Sequence, residues 1–157
     1  MKLRRAVIYA INATCDLASR EPSKPIPCSK LARNGDMPIR FLLQILRRLV
    51  RVGLLNSTRG VEGGYFLARD ASEITVLEIV ESFERPFAVH SQRLAGLSAD
   101  AQVLLQETML KALSAARTEM AQLTIADLLD AHQTSYVASS SMNLELAEYC
   151  QPAASGP

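Results

Sequence analysis

Arg40, Gln44, Arg47, Arg48 and Arg51 stand four, three, one and three residues apart. That spacing gathers side chains on one face of a helix. Guanidinium and carboxamide groups suit base edges: Arg makes a bidentate pair with guanine, and Gln with adenine. No acid is interspersed among these arginines, so they repel one another unless an anion lies against them. The alternative is an ordinary surface helix with a solvated charged face. Phe41, Leu42, Ile45, Leu46 and Leu49 form the opposite stripe, which is expected in the core. A short helix, a turn and a basic second helix are what fits a protein into the major groove of DNA.

Further along, Arg59-Gly60-Val61-Glu62-Gly63-Gly64-Tyr65 reads as a hairpin tip, since glycine permits positive φ. Leu54–Ser57 and Tyr65–Ala68 are its expected strands. A phosphate-cradling loop is the competing idea. The GxxxxGK[ST] pattern is missing, as is a dinucleotide-binding spacing followed by a helix. Arg59 at the tip is the residue there that suits contact with a minor groove.

Cys15, Cys28 and Cys150 are an odd number with no CxxC spacing. This argues against a disulfide framework and for a reducing, cytoplasmic setting. Cys28 lies just ahead of a short helix, whose dipole would lower the thiol pKa and make it a candidate redox switch. A small buried residue in a tight turn is the plainer reading. His90 and His132 each stand alone, no Ser/His/Asp or Cys/His set has a motif spacing, and nothing supports an enzyme.

These groups need elements to hold them. A first helix is expected from about Arg4 to Ser19, with Val7, Ala10, Ile11, Thr14, Leu17 and Ala18 at helical spacing. Its start imitates a signal peptide, but Asn12, Thr14 and Asp16 interrupt the apolar run. Glu21–Pro27 is an extended connection. A helix over Ser29–Asn34 breaks at Gly35-Asp36, Pro38 opens the basic helix, and Gly53 ends it. Thr75-Val76-Leu77-Glu78 is a capping box for a helix over Val76–Glu84, and Arg85-Pro86 stops it. Ser98 caps a long helix over Ala99–Gln122. Its stripe, which includes Leu105, Met109, Leu113, Ala116 and Met120, is too long for one small domain to cover. A two-fold partner presenting the same helix would cover it, and packing against the first helix is the alternative. Thr124-Ile125-Ala126-Asp127 caps a last short helix ending near Ala131.

With 157 residues the chain can hold one domain with a core and an appendage. Its net charge of +1 conceals an asymmetry: residues 1–69 hold 13 basic and 4 acidic residues, and residues 70–157 hold 4 and 12. The basic half suits a polyanion, and the acidic half would face away from one. No run approaches the length of a membrane span. The expected fold is mainly α with a small β-hairpin wing, a winged helix-turn-helix, plus a long dimerisation helix. Its partners would be double-stranded DNA and a second copy of the chain, with no membrane and no cofactor. An unidentified effector or protein partner stays open, as does a winged-helix module that binds proteins through its acidic half.

Met1-Lys2-Leu3 with Tyr9-Ala10, Gly53-Leu54-Leu55, Arg59-Gly60, Gly63-Gly64-Tyr65, Leu67-Ala68-Arg69, Glu73-Ile74-Thr75-Val76 and Leu123–Leu129 together resemble the pattern of the Rrf2 group of bacterial winged-helix regulators. The likeness covers about residues 1–131. It implies a homodimer on a palindromic operator, usually repressing it. Position by position, Arg40, Leu43 and Gln44 fall where that group reads bases, Arg59 where its wing enters the minor groove, and Ser29 and Lys30 at phosphate. It implies a DNA-binding unit over 1–85, a loop at the sensor position over 86–97, and the dimerisation and short helices over 98–131; residues 132–157, rich in Ser, Ala and Gln, are expected to be a weakly ordered tail. Two features depart from the pattern. Leu43 stands where Glu is frequent; Leu cannot accept from cytosine but can pack on a thymine methyl. Cluster-binding members carry three cysteines between the fourth and fifth helices, whereas Pro86–Ala101 contains none, only His90. Clusters are held mainly by thiolates, so no cluster is expected.

Overall fold

Five residues of the helix Arg5–Ala18 (α1) are buried at helical spacing: Val7, Ala10, Ala13, Thr14 and Leu17. They form one wall of the core, with the Thr14 hydroxyl satisfied by the Ala10 carbonyl at 2.8 Å. The computed structural model describes residues 3–21, 24–83 and 96–132. After α1 come α2 (Cys28–Asn34), α3 (Ile39–Arg51), strands β1 (Leu55–Thr58) and β2 (Gly64–Leu67), a 3-10 turn over Ala71–Glu73, α4 (Val76–Phe83) and α5 (Ala99–Gln122). Residues 125–132 are again helical. The architecture is mainly helical with a two-stranded antiparallel hairpin. The expected sensor loop, with His90, and the expected tail, with Cys150, lie outside the described residues apart from their edges at 96, 97 and 132.

Element ends follow local chemistry. Thr75 and Glu78 form the expected box at the start of α4: the Glu78 carboxylate accepts from the Thr75 N–H at 3.0 Å, and the Thr75 hydroxyl accepts from the Glu78 N–H at 3.2 Å. Thr124 and Asp127 repeat the arrangement at the last helix. Ser98 caps α5 by accepting from the Ala101 N–H at 3.3 Å. Between α2 and α3 the left-handed residue is Asp36, at φ 47°, rather than the glycine before it. Gly53, at φ 77°, turns the chain out of α3.

The hairpin pairs Leu55 with Leu67 and Thr58 with Gly64. The stretch read as a plain connection does more than connect. The Ile26 N–H donates to the Tyr65 carbonyl and the Tyr65 N–H to the Ile26 carbonyl, both at 2.9 Å. The pairing is a bridge of one residue, flanked by Pro25 and Pro27. A Cβ on Gly64 would lie 2.4 Å from the Ile26 backbone; only glycine lets the two chains meet.

The core joins α1, α2, α3, β1 and α4 through Leu31, Leu42, Leu46, Leu49, Leu55 and Ile79. Residues beyond α5 return to it. The Val76 N–H donates to the Leu123 carbonyl, the Ile125 N–H to the Ile74 carbonyl, and Ile125 is fully buried.

Two side chains of the expected stripes sit in particular surroundings. Phe41, placed in the apolar stripe, is 37% exposed and meets Tyr9 edge to face with ring centroids 5.9 Å apart. It sits at the flank of α3 instead of under it. Met120, placed in the dimer stripe, packs against Val7, Val76 and Val80 of its own chain, and an Arg117–Glu81 ion pair ties the same end of α5 to α4. The other half of α5 differs. Leu105 is 43% and Met109 50% exposed, because the helix runs past the short α4 and nothing described lies beneath it; Leu113 and Ala116 between them are half-buried.

Candidate nucleic-acid interface

Helix α3 is held by Leu42, Ile45, Leu46 and Leu49, all buried. Burying one such side chain contributes about 1.5–3 kcal/mol, so four fix the rotation of the helix about its axis. That rotation presents Arg40, Gln44, Arg47 and Arg51 to solvent. No acid lies in the first turn, and Arg51 stands in the last, where a cation suits the helix dipole. Among the described residues none forms an ion pair with Arg40, Arg47, Arg51 or Arg59.

Arg48 differs in having a partner within the chain. Its Nε–H donates to the Ser82 carbonyl, and its guanidinium lies 5.5 Å from the Phe83 ring centroid. It caps the end of α4 through this one N–H, and the residue is otherwise exposed. Successive residues on a helix are about 100° apart; Arg48 therefore leans to the flank shared with Phe41, where α4 ends.

The N-termini of α2 and α3 come together. Ser29, Lys30 and Arg40 are exposed there, Leu43 is half-buried, and the Cys28 thiol donates to the Ile39 carbonyl at 3.9 Å. Burial pushes the Cys28 thiol pKa up, opposite to the lowering expected from the helix dipole. That direction goes with the plainer reading of a small packed residue, and the thiol lies at the junction of the two helices. Burial also raises the Tyr65 phenol, with the neighbouring Cys28 adding to the shift and Arg47 opposing it. Cys28, Arg47 and Tyr65 thus bring α2, α3 and the outer half of β2 to one place. Arg59 stands exposed at the outer end of β1, next to Gly60 at φ 115°. The root of the hairpin is fixed by an ion pair missed in the sequence: Arg69 to Glu78 at 2.8 Å.

Two basic helix ends, a basic helix face and a hairpin beside it make a winged helix-turn-helix. Residues 3–131 match the family model described as "Rrf2: Iron-dependent Transcriptional regulator". The chain belongs to the Rrf2 family. Among curated relatives it is 36% identical over 80 residues to the HTH-type transcriptional regulator IscR of Photorhabdus laumondii, covering 51% of this chain and 49% of that one. It is 33% identical over 84 residues to IscR of Escherichia coli O1:K1, covering 54% and 52%. The chain spans about half the length of the curated relatives it matches. Among solved structures it is similar to CymR, the global cysteine regulator of B. subtilis (TM-score 0.68, 22% identity, 83% of this chain and 97% of that one). It is likewise similar to T. potens IscR (TM-score 0.65, 24% identity, 86% and 90%). Both likenesses concern the fold.

The family description invokes iron, and the donor set of this Rrf2 chain does not fit a thiolate-held cluster. Cys15 and Cys28 sit in separate helices, each packed against the core, and Cys150 is far along the chain. Between Pro86 and Ala101 there is no cysteine. Among the described residues no three His, Cys, Asp or Glu side chains gather as a metal site, and none of the described helices is long and apolar enough to cross a membrane.

Proposed function

We propose that this chain is a sequence-specific DNA-binding transcriptional regulator, acting as a cluster-free homodimer on a two-fold symmetric operator. The observation that carries the reading is the face of α3, with Arg40, Gln44, Arg47 and Arg51 exposed and free of ion pairs among the described residues. Arg40, Leu43 and Gln44 meet base edges; Arg47 and Arg51 sit further along the groove and meet phosphate or base; Ser29 and Lys30 bind the backbone; Arg59 enters the flanking minor groove. The exposed Leu105 and Met109 on α5 supply the dimer contact. A dimer seated on a promoter occludes it, so repression is the expected outcome. The input is an effector or protein partner, not a cluster.

Duplex binding measured against salt tests the reading. Each phosphate-bound cation removed should reduce the slope of log K against log salt by about 0.9. The Arg47→Ala/Arg51→Ala double variant is therefore expected to bind more weakly with a shallower slope. Unchanged affinity and slope would count against DNA binding through α3.

A further inference from the structure

The leading edge of α3 carries an apolar residue that the core does not use. Ile39 opens the helix and is 49% exposed. Leu43, half-buried, stands one turn later on the same side. Cations surround the pair: Arg40 follows Ile39, Arg47 follows Leu43 by a turn, and Ser29 and Lys30 stand across the junction that Cys28 makes with the Ile39 carbonyl. An apolar edge set among unpaired cations suits a surface that is anionic at its margins and apolar at its centre. The major groove has that character where a thymine C5-methyl projects between two phosphate backbones.

We infer that Ile39, with Leu43 behind it, is a specificity-determining residue that packs on a thymine methyl in each half-site. The inference rests on the DNA-binding reading and adds to it. Arg40 and Gln44 select hydrogen-bonding edges; Ile39 selects a methyl group, which thymine carries and the other bases of DNA lack. Van der Waals contact and exclusion of water from both partners supply the preference, and no proton or charge is involved.

The test uses the full chain and its own best site, selected from a random duplex pool. Each thymine is replaced in turn by deoxyuridine, which removes the methyl group and keeps every hydrogen-bonding group. The wild type is expected to lose about four-fold in affinity at one thymine per half-site, the worth of one buried methyl. Ile39→Ala should bind more weakly to the thymine site and be indifferent to deoxyuridine at that position. Ile39→Val should keep part of the preference. Matched thermal unfolding of the variants checks the fold. If Ile39→Ala retains the same deoxyuridine sensitivity at every position, the methyl contact is overturned while DNA binding stands. If the wild type binds no duplex, both fall together.

Discussion

The Nε–H of Arg48 donates to the Ser82 carbonyl in the last turn of α4, while Arg47, one residue earlier, stands exposed on the outer face of α3 with no ion pair among the described residues. Adjacent arginines of one helix thus have different tasks. On the proposed function Arg47 serves the partner, whereas Arg48 joins α3 to the end of α4. Arg48→Ala is expected to lower unfolding free energy by about 2 kcal/mol, from a charged hydrogen bond and a ring contact. Arg47→Ala should leave stability within about 0.5 kcal/mol and weaken duplex binding. Denaturant melts and fluorescence anisotropy on both variants separate the two roles; equal stability losses would refute the division.

Gly64 admits the Ile26 backbone where a Cβ would lie 2.4 Å away. Gly64→Ala should cost about 3 kcal/mol, as over-packing against rigid backbone does, and should free the Ile26 and Tyr65 amides to exchange with solvent. Hydrogen exchange at those two amides reads the result directly. Protection equal to wild type would show that the chain finds another way around.

Burial alone would raise the Glu78 carboxyl, but the Thr75 N–H and hydroxyl and the Arg69 guanidinium hold it below its ordinary value of 4.5. A carboxylate with a depressed folded-state pKa contributes stability that is complete above its unfolded pKa. That contribution is lost as pH falls through the folded value. Glu78→Gln should therefore be less stable than wild type near neutrality, with the gap narrowing on acidification below about 4.5. Parallel melts from pH 7 to pH 3 check this; a gap constant across that range would exclude the carboxylate as its source.

The two halves of α5 should answer differently to mutation. Leu105→Lys with Met109→Lys places charge on an exposed apolar surface and is expected to yield a folded monomer by light scattering. Met120→Ala removes a side chain packed on Val7, Val76 and Val80. It should lower stability by about 2 kcal/mol and leave the assembly intact at working concentration. A Lys double variant that stays dimeric would place the interface elsewhere.

Arg59→Ala alters the hairpin tip without touching the core, since Arg59 is exposed. It should weaken operator binding and relax the preference for sequences flanking each half-site, with stability unchanged. Identical profiles for wild type and variant over a flank-randomised library would remove the hairpin from recognition.

Much of this was legible because it is written locally. Thr75 with Glu78, and Ser98 ahead of Ala99, are capping patterns a few residues long, and α5 spans Ala99–Gln122 as expected. The core stripe of α3 follows from helical spacing, and residues such as Leu42 and Leu49 are buried accordingly. What escaped depends on partners distant in sequence. Arg48 finds Ser82 thirty-four positions away, and no spacing within α3 announces it. Ile26 pairs with Tyr65 across two helices and a strand; an apolar residue between two prolines was the available signal. Met120 packs on Val7, Val76 and Val80, residues far from it in sequence that the spacing within α5 does not reveal. At Cys28 a helix dipole is visible in sequence, whereas the burial that raises its pKa is not.

Selection of the full chain against a random duplex pool, followed by titration of the enriched site across salt, tests the central claim most directly. The expected result is a two-fold symmetric motif bound by a dimer, with affinity falling linearly in log salt. A pool that returns no enriched sequence, or binding that ignores salt, would contradict a DNA-reading dimer and turn attention to the acidic half of the chain.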